Sequence, residues 1–422
     1  MATLKYHGDL ALPEFVTQHQ SVVSYREIEE IFRSTDFLQA GTAEREILFE
    51  GTLLFAEGKR HAELKQQFRS LMSRDAMAYY ELRLLGPVIA DVLQDLPRST
   101  RADGKVGVDL LSLVRLMLHR ISAGVTGVDA VDTPNRTERF AHLITKLSEA
   151  VAPQWTKRSL EEVVAEGRET LSQLVTEFLQ PSLDRRLALA EQFKSEKIAQ
   201  EELPRDALMT MCLAGDVVKS DDGEKIPYVW RQCSLFLAAA IQTTSQSIPH
   251  LVVHLDEWVR EHPEDQINLT NPAFLRRAAI ESLRLHQSSP VKCRRAVNDV
   301  TLSTGRQVKA GEIIALHTTL ANRDEDLFGS DARYFNPYRT APKGMMAWGS
   351  TFGMGRHLCF GSNLVIGVSG KPDQKHQTEG TMVNIATKLF ERGCELDPDD
   401  PPQCASTSFH DGFDRVPVLL AG

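Results

Sequence analysis

The chain has 422 residues, 42% of them apolar, and its 48 Lys and Arg against 57 Asp and Glu give a net charge of −9 and a pI near 5.8. That acidic balance, without a dense Lys/Arg run, speaks against nucleic acid as a partner. No apolar run reaches the roughly 20 residues that cross a bilayer, and Met1 to Gln20 lacks a basic start followed by an apolar core, so a cytoplasmic protein with no membrane anchor is expected.

The length suffices to bury a large core and no linker interrupts it, which predicts one domain over 1–422; a monomer is a separate expectation that length does not decide. Six cysteines, at 212, 233, 293, 359, 394 and 404, show no Cys-x-x-Cys pair, so neither disulfides nor structural zinc is expected.

In chain order, β-like segments come first, around Leu10 to Phe15 and Ser21 to Ser24. His61 and Lys65 follow at i and i+4 on one helix. A long helix is predicted from about Pro227 to His254. Within it, Ala239 and Ala240 make a shallow place, and Thr243 can bond back to the carbonyl of Ala239 and bend the backbone. The next helix, Pro272 to His286, sets Glu281 and Arg284 at i and i+3 on one face; alone, such a pair reads as a surface ion pair worth less than ~1 kcal/mol.

Further β-like segments lie between Val297 and Leu316 and at Arg415 to Leu420. After Gly361 a helix can run to Val368. Residues 369–380 then read as a polar, turn-rich insert containing Pro372, and helical spacing resumes from Met382 to Phe390, predicting two shorter helices joined by an exposed loop. The coarse picture is mostly α with a small β-sheet region.

The most informative stretch is Phe352 to Gly361, a glycine-punctuated loop presenting Cys359. Glycines reach backbone angles closed to other residues and leave room for a flat cofactor. Backbone N–H groups of a tight turn can point at the sulfur, and Arg356 and His357 favour the thiolate, the form that binds metal. On type alone, a buried cysteine acting as a small apolar residue is the commoner case. Spacing decides otherwise: Phe352, Gly355, His357, Cys359 and Gly361 form Phe-x-x-Gly-x-His-x-Cys-x-Gly, which resembles the haem-binding signature of the cytochrome P-450 family.

That resemblance implies the family's fold, with haem b (iron protoporphyrin IX) between the long central helix and the Cys loop. It makes Cys359 the iron's axial ligand, with Phe352, Gly353, His357 and Gly361 beside the cofactor. Thiolate ligation favours cleavage of a bound O–O bond, hence oxygen insertion. Glu281 and Arg284 resemble the family's Glu-x-x-Arg, and Arg333 stands where a third member of that structural network is expected.

Ala239 to Thr243 is similar to the oxygen-binding groove Ala-Gly-x-Asp/Glu-Thr, which assigns Thr243 to dioxygen and proton relay. Ala240 replaces its glycine and Gln242 its acid, and an amide cannot ionise. His61, Lys65, Arg294 and His357 resemble the bases that neutralise the haem propionates, with Arg294 and Arg295 able to exchange roles. The N-terminus leaves little room for the family's first helix, and the 369–380 insert falls where an electron donor docks; reshaped docking and a tolerated insertion are both open.

By the same resemblance the substrate pocket is walled by Phe236, Ser289, Pro290, Val291 and Phe409 among others, mostly apolar or small. The expected substrate is a hydrophobic small molecule such as a terpenoid, steroid or polyketide. No Gly-x-Gly-x-x-Gly follows a strand, so electrons come from a separate ferredoxin or flavodoxin with its reductase. The leading expectation is a haem-thiolate monooxygenase that uses dioxygen and two external electrons, with secondary metabolism as its expected setting. Gln242 motivates a peroxide-driven or non-hydroxylating alternative, and a non-catalytic haem sensor is a third.

Overall fold

Helices carry most of the chain, and small sheets flank them. The computed structural model describes residues 12–41, 48–96, 101, 103–217, 226–368, 377–406 and 408–422. Four short strands, β1 (Gln20–Val22), β2 (Phe37–Gln39), β3 (Lys292–Ala296) and β4 (Ile313–Leu316), form a sheet in the order β1-β4-β3-β2. The β1–β4 pairing is parallel, and β4–β3 and β3–β2 are antiparallel, with Gln39 opposite Arg294 and Lys292 opposite Leu316. A second sheet joins Lys105–Asp109, Pro417–Ala421 and Glu395–Leu396.

The strand expected over Leu10 to Phe15 is a short helix instead, Glu14–Thr17, with residues 10 and 11 outside the described set. Pro13, extended at φ −65°, leads into it; an apolar run this short does not separate strand from helix.

The site is framed by α1 (Gly58–Phe68), α2 (Leu110–Thr126), α3 (Pro134–Val151), α4 (Tyr228–Glu261) and α5 (Pro272–Leu285). Among them α4, with 34 residues, spans about 51 Å at 1.5 Å per residue. It packs against α2, α3 and α5, burying Leu235, Leu237, Ile241, Ile248, Leu251 and Leu255. Its middle is weakened: Pro249 lacks an N–H, and the hydroxyls of Thr243, Ser245 and Ser247 donate to the carbonyls of Ala239, Gln242 and Thr243 at 2.7, 3.1 and 3.0 Å. No helix among the described residues is long and apolar enough to cross a membrane.

Beyond the Cys loop, the helix breaks in two as the sequence indicates, into α6 (Ser362–Ile366) and α7 (Gly380–Glu391). Residues 369–376 of the insert lie outside the described set. Its two ends meet: Val368 and Thr378 exchange backbone hydrogen bonds at 3.0 and 3.2 Å. A Cβ on Gly380 would sit 2.2 Å from the Gly367 nitrogen and one on Gly367 2.0 Å from the Thr378 oxygen, and both residues have φ above +70°, so glycine is required twice. Glu81 caps α7, accepting from the N–H groups of Glu379 and Gly380 at 2.6 and 2.7 Å.

Candidate active site

The turn that carries Cys359 is closed by its own N–H, which donates to the Phe352 carbonyl at 2.8 Å. Burial pushes the thiol pKa up, while the N–H groups of Gly361 and Ser362 and the cations Lys292 and Lys65 pull it down. The helpful cations are therefore not the neighbours in sequence. Arg356 turns its guanidinium toward the Ser34 carbonyl and gives its own carbonyl to Lys65 Nζ at 2.8 Å; His357 Nε2 lies 2.9 Å from Glu57 Oε2.

A buried network supports the loop from behind. Arg284, fully buried, grips Glu281 with two bonds of 2.8 Å and donates to the carbonyls of Asn322 and Ala332 at 2.5 and 2.8 Å. The third member is Arg339, whose Nε donates to Glu281 Oε1 at 2.9 Å while Nη1 reaches Asp331 at 2.7 Å. This corrects the expectation for Arg333, which is 64% exposed and pairs with Glu325 at 3.4 Å. The short helix Glu325–Phe328 and the tight turn at 331–334 leave Arg333 facing outward, and the next guanidinium along closes the network.

From there Asn322 hands the constraint on. It donates to the carbonyls of Arg284 and Trp348 and to Thr351 Oγ1, and accepts from Ser350 N at 2.8 Å. Phe352 follows directly.

Cys359 keeps exposed surface although it lies deep in the molecule, because it faces a cavity of about 480 Å³. Across that cavity stand Ala239, Ala240, Gln242 and Thr243 of α4; Lys65, His61, Arg294 and His357 also line it, as do Phe352, Gly353 and Gly361. Thr243 donates to Ala239 and keeps its lone pairs for the cavity. His61 packs 4.2 Å from His357, ring centre to ring centre, and burial, then His357 and Lys65, hold its pKa down to about 4, so it offers a neutral N–H. Of the two adjacent arginines, Arg294 is buried and lines the cavity, and Arg295 is exposed.

The cytochrome P-450 family model matches residues 255–366. The match ends where α6 ends, at the insert. Among curated proteins, a C-19 steroid 1alpha-hydroxylase of Sorangium cellulosum is 22% identical over 99% of this chain and 92% of its own length. A 20-oxo-5-O-mycaminosyltylactone 23-monooxygenase of Streptomyces fradiae is 33% identical, over 31% of this chain and 29% of its own length. Other matches are similarly local: that with indoleacetaldoxime dehydratase of Arabidopsis thaliana, 31% identical, takes in 24% of this chain and 21% of that enzyme.

Solved structures agree on the fold over the whole length. HmtT, involved in himastatin biosynthesis, superposes with a TM-score of 0.69 at 18% identity, covering 100% of this chain and 96% of that one. A Bacillus megaterium P-450 in complex with corticosterone gives 0.67 at 17%, covering 99% and 96%. Residues 255–366 carry the cytochrome P-450 family's sequence pattern, and the whole chain has the cytochrome P-450 fold.

Cytochromes P-450 bind haem b, and the residues present fit it. The Cys359 thiol stands on one wall, facing the small residues of α4 on the other; the bases Lys65 and Arg294 line the same space. A Cβ added at Gly361 would meet nothing within 4 Å, and one at Gly353 only the His357 carbonyl at 3.5 Å, so protein atoms leave room for a flat ring beside the loop.

The cavity wall differs in part from the one expected. Phe236, Ser289 and Val291 line the cavity, Phe236 also packing against Phe68 and Phe360 at 5.1 and 6.4 Å. Pro290 is not on the wall: it is buried, and its carbonyl accepts from Thr318 Oγ1 and Thr319 N of the short helix Thr318–Ala321. Phe409 is also displaced, packed against the cluster that holds Val16, Ala40 and Trp155, with Lys157 over its ring; the bend that follows puts His410 and Asp411 on the cavity instead. The sequence expectation places Lys292 at the end of the wall segment Ser289 to Lys292 without using its charge, and stops at His410, one residue short of Asp411; both Lys292 and Asp411 line the cavity.

Proposed function

We propose that this P-450 is a haem-thiolate monooxygenase, taking dioxygen and two electrons from a separate ferredoxin or flavodoxin system to hydroxylate a hydrophobic small molecule. The observation that carries this reading is Cys359 facing Thr243 and its two neighbouring alanines across one cavity. Haem iron held by a thiolate supplies dioxygen activation and favours O–O cleavage when bound.

The chain's own residues do the rest. Lys65 and Arg294 would hold the propionates by charge-assisted bonds, with His61 and His357 contributing N–H donors. The Glu281–Arg284–Arg339 network fixes the loop, and the N–H groups of Gly361 and Ser362 stabilise negative charge on sulfur. Thr243 holds a hydroxyl where a proton must pass. Gln242, in the place of an acid, can order water there but cannot itself ionise.

The apolar side chains on the wall, among them Val125, Val151, Trp155 and Leu235, exclude water and favour a largely apolar body. The C-19 steroid 1alpha-hydroxylase and the 20-oxo-5-O-mycaminosyltylactone 23-monooxygenase named above support a bulky substrate. The test is a ferrous–carbon monoxide spectrum of the holoprotein with the thiolate signature, then product formed from a binding compound with reduced ferredoxin and dioxygen. Product with peroxide but none with donor and dioxygen would select the peroxide-driven reading that Gln242 motivates.

A further inference from the structure

The cavity wall carries more positive charge than the cofactor requires. Among the described residues lining it, Lys65, Lys292 and Arg294 are the Lys and Arg side chains, and Asp411 is the acid. Asp411 Oδ2 already faces His286 Nδ1 at 2.6 Å. His61 and His410, both held near pKa 4 by burial, are neutral at pH 7, and His357 is matched by Glu57. Two haem carboxylates answer Lys65 and Arg294, which leaves Lys292.

The partners of Lys292 are neutral. Its Nζ donates to the Ser289 carbonyl at 3.0 Å and to Thr318 Oγ1 at 3.2 Å, leaving one of three N–H donors for the cavity. Strand alternation sets it on the same face of β3 as Arg294, two residues on. Burial, then Arg294, push its pKa down to about 7, and the one group that raises it is Cys359, so no described carboxylate of the chain stabilises this ammonium. A buried cation so placed is stabilised by an anion that arrives from outside.

We propose that Lys292 binds a carboxylate brought into the cavity and that the substrate of this P-450 is an amphiphilic acid, its apolar body against Val151, Trp155 and Val291. The proposal rests on the monooxygenase reading of the site. The same chemistry could come from a haem propionate, and the experiment separates the two sources.

Wild-type holoprotein, Lys292→Met and Lys292→Gln are titrated with hexadecanoic, deoxycholic and indole-3-acetic acids and with the methyl ester of each. Binding is followed by the optical difference spectrum and by calorimetry, and haem release to apomyoglobin is measured in parallel. Gln keeps a donor for Ser289 and Thr318, so a loss common to both variants reports charge. The expected result is that wild type binds at least one acid about tenfold more tightly than its ester, that both variants lose this preference, and that ester affinity and haem release change by less than about twofold.

If wild type prefers no acid over its ester, or the preference survives in both variants, the proposal is overturned. If instead the variants release haem about tenfold faster, or fail to retain it, the carboxylate is a propionate and the acid substrate falls. A wild-type spectrum without the thiolate signature would refute the monooxygenase reading, a different failure.

Discussion

On the thiolate side of the cavity, long polar side chains are tied from several directions, while on the α4 side a hydroxyl is tied only to its own helix. Arg284 makes four bonds and Glu281 accepts from Arg284, Arg339 and the Asn336 N–H. Thr243 donates once, to Ala239. One side is over-determined and holds a single geometry; the other keeps its polar capacity for what enters. Rigidity and reactivity are thereby assigned to opposite walls.

The strongest way to break that division is Cys359→Ser. The expected outcome is complete loss of the thiolate signature in the ferrous–carbon monoxide spectrum, with far-ultraviolet circular dichroism unchanged; a retained signature would remove the thiolate from the site altogether.

Next comes a paired test of the rigid wall. Arg339→Ala leaves Glu281 buried beside one guanidinium where there were two, and should cost about 3 to 5 kcal/mol in urea unfolding. Arg333→Ala, on the surface, should cost less than ~1 kcal/mol. Equal losses would dissolve the distinction drawn between these two arginines.

A third test concerns the core beside the cavity. Burial holds His119 near pKa 4, below its unfolded value of 6.5, so the unfolded chain binds more protons between these values. Stability should therefore fall as pH drops from 6.5 toward 4, by on the order of 3 kcal/mol from this group. In His119→Gln the denaturant midpoint should depend less steeply on pH across that window; an unchanged slope would show that His119 titrates normally.

The smallest expected effect sharpens the reactive wall. Gln242→Glu restores an ionisable group beside Thr243, and coupling of electron consumption to product should rise by roughly two- to tenfold. Unchanged coupling would mean that position 242 takes no part in proton delivery.

What was legible in the sequence follows the same division. The Cys359 turn and the Glu281/Arg284 pair are local patterns in which spacing alone places the groups together. The helix break after Val368 could be read from Pro372 and the polar run around it. The choice between Arg333 and Arg339 could not, because both lie in an aperiodic segment where only the path of the backbone decides which guanidinium turns inward. Pro290 and Phe409 failed for a related reason: a one-residue difference in a turn exchanges wall for interior, and His410 and Asp411 took the place expected of Phe409. The charge of Lys292 was visible, but that its bonds go to Ser289 and Thr318 and to no described carboxylate is a property of three dimensions.

The pinched glycine pair at Gly367 and Gly380 has a practical consequence. Because the chain departs and returns at one point, cinched by Val368 and Thr378, the sequence strung between them can be shortened, extended or replaced by a fluorescent graft while α6 and α7 keep their seats. It offers an attachment port between α6 and α7 for a reporter that leaves the Cys359 turn untouched.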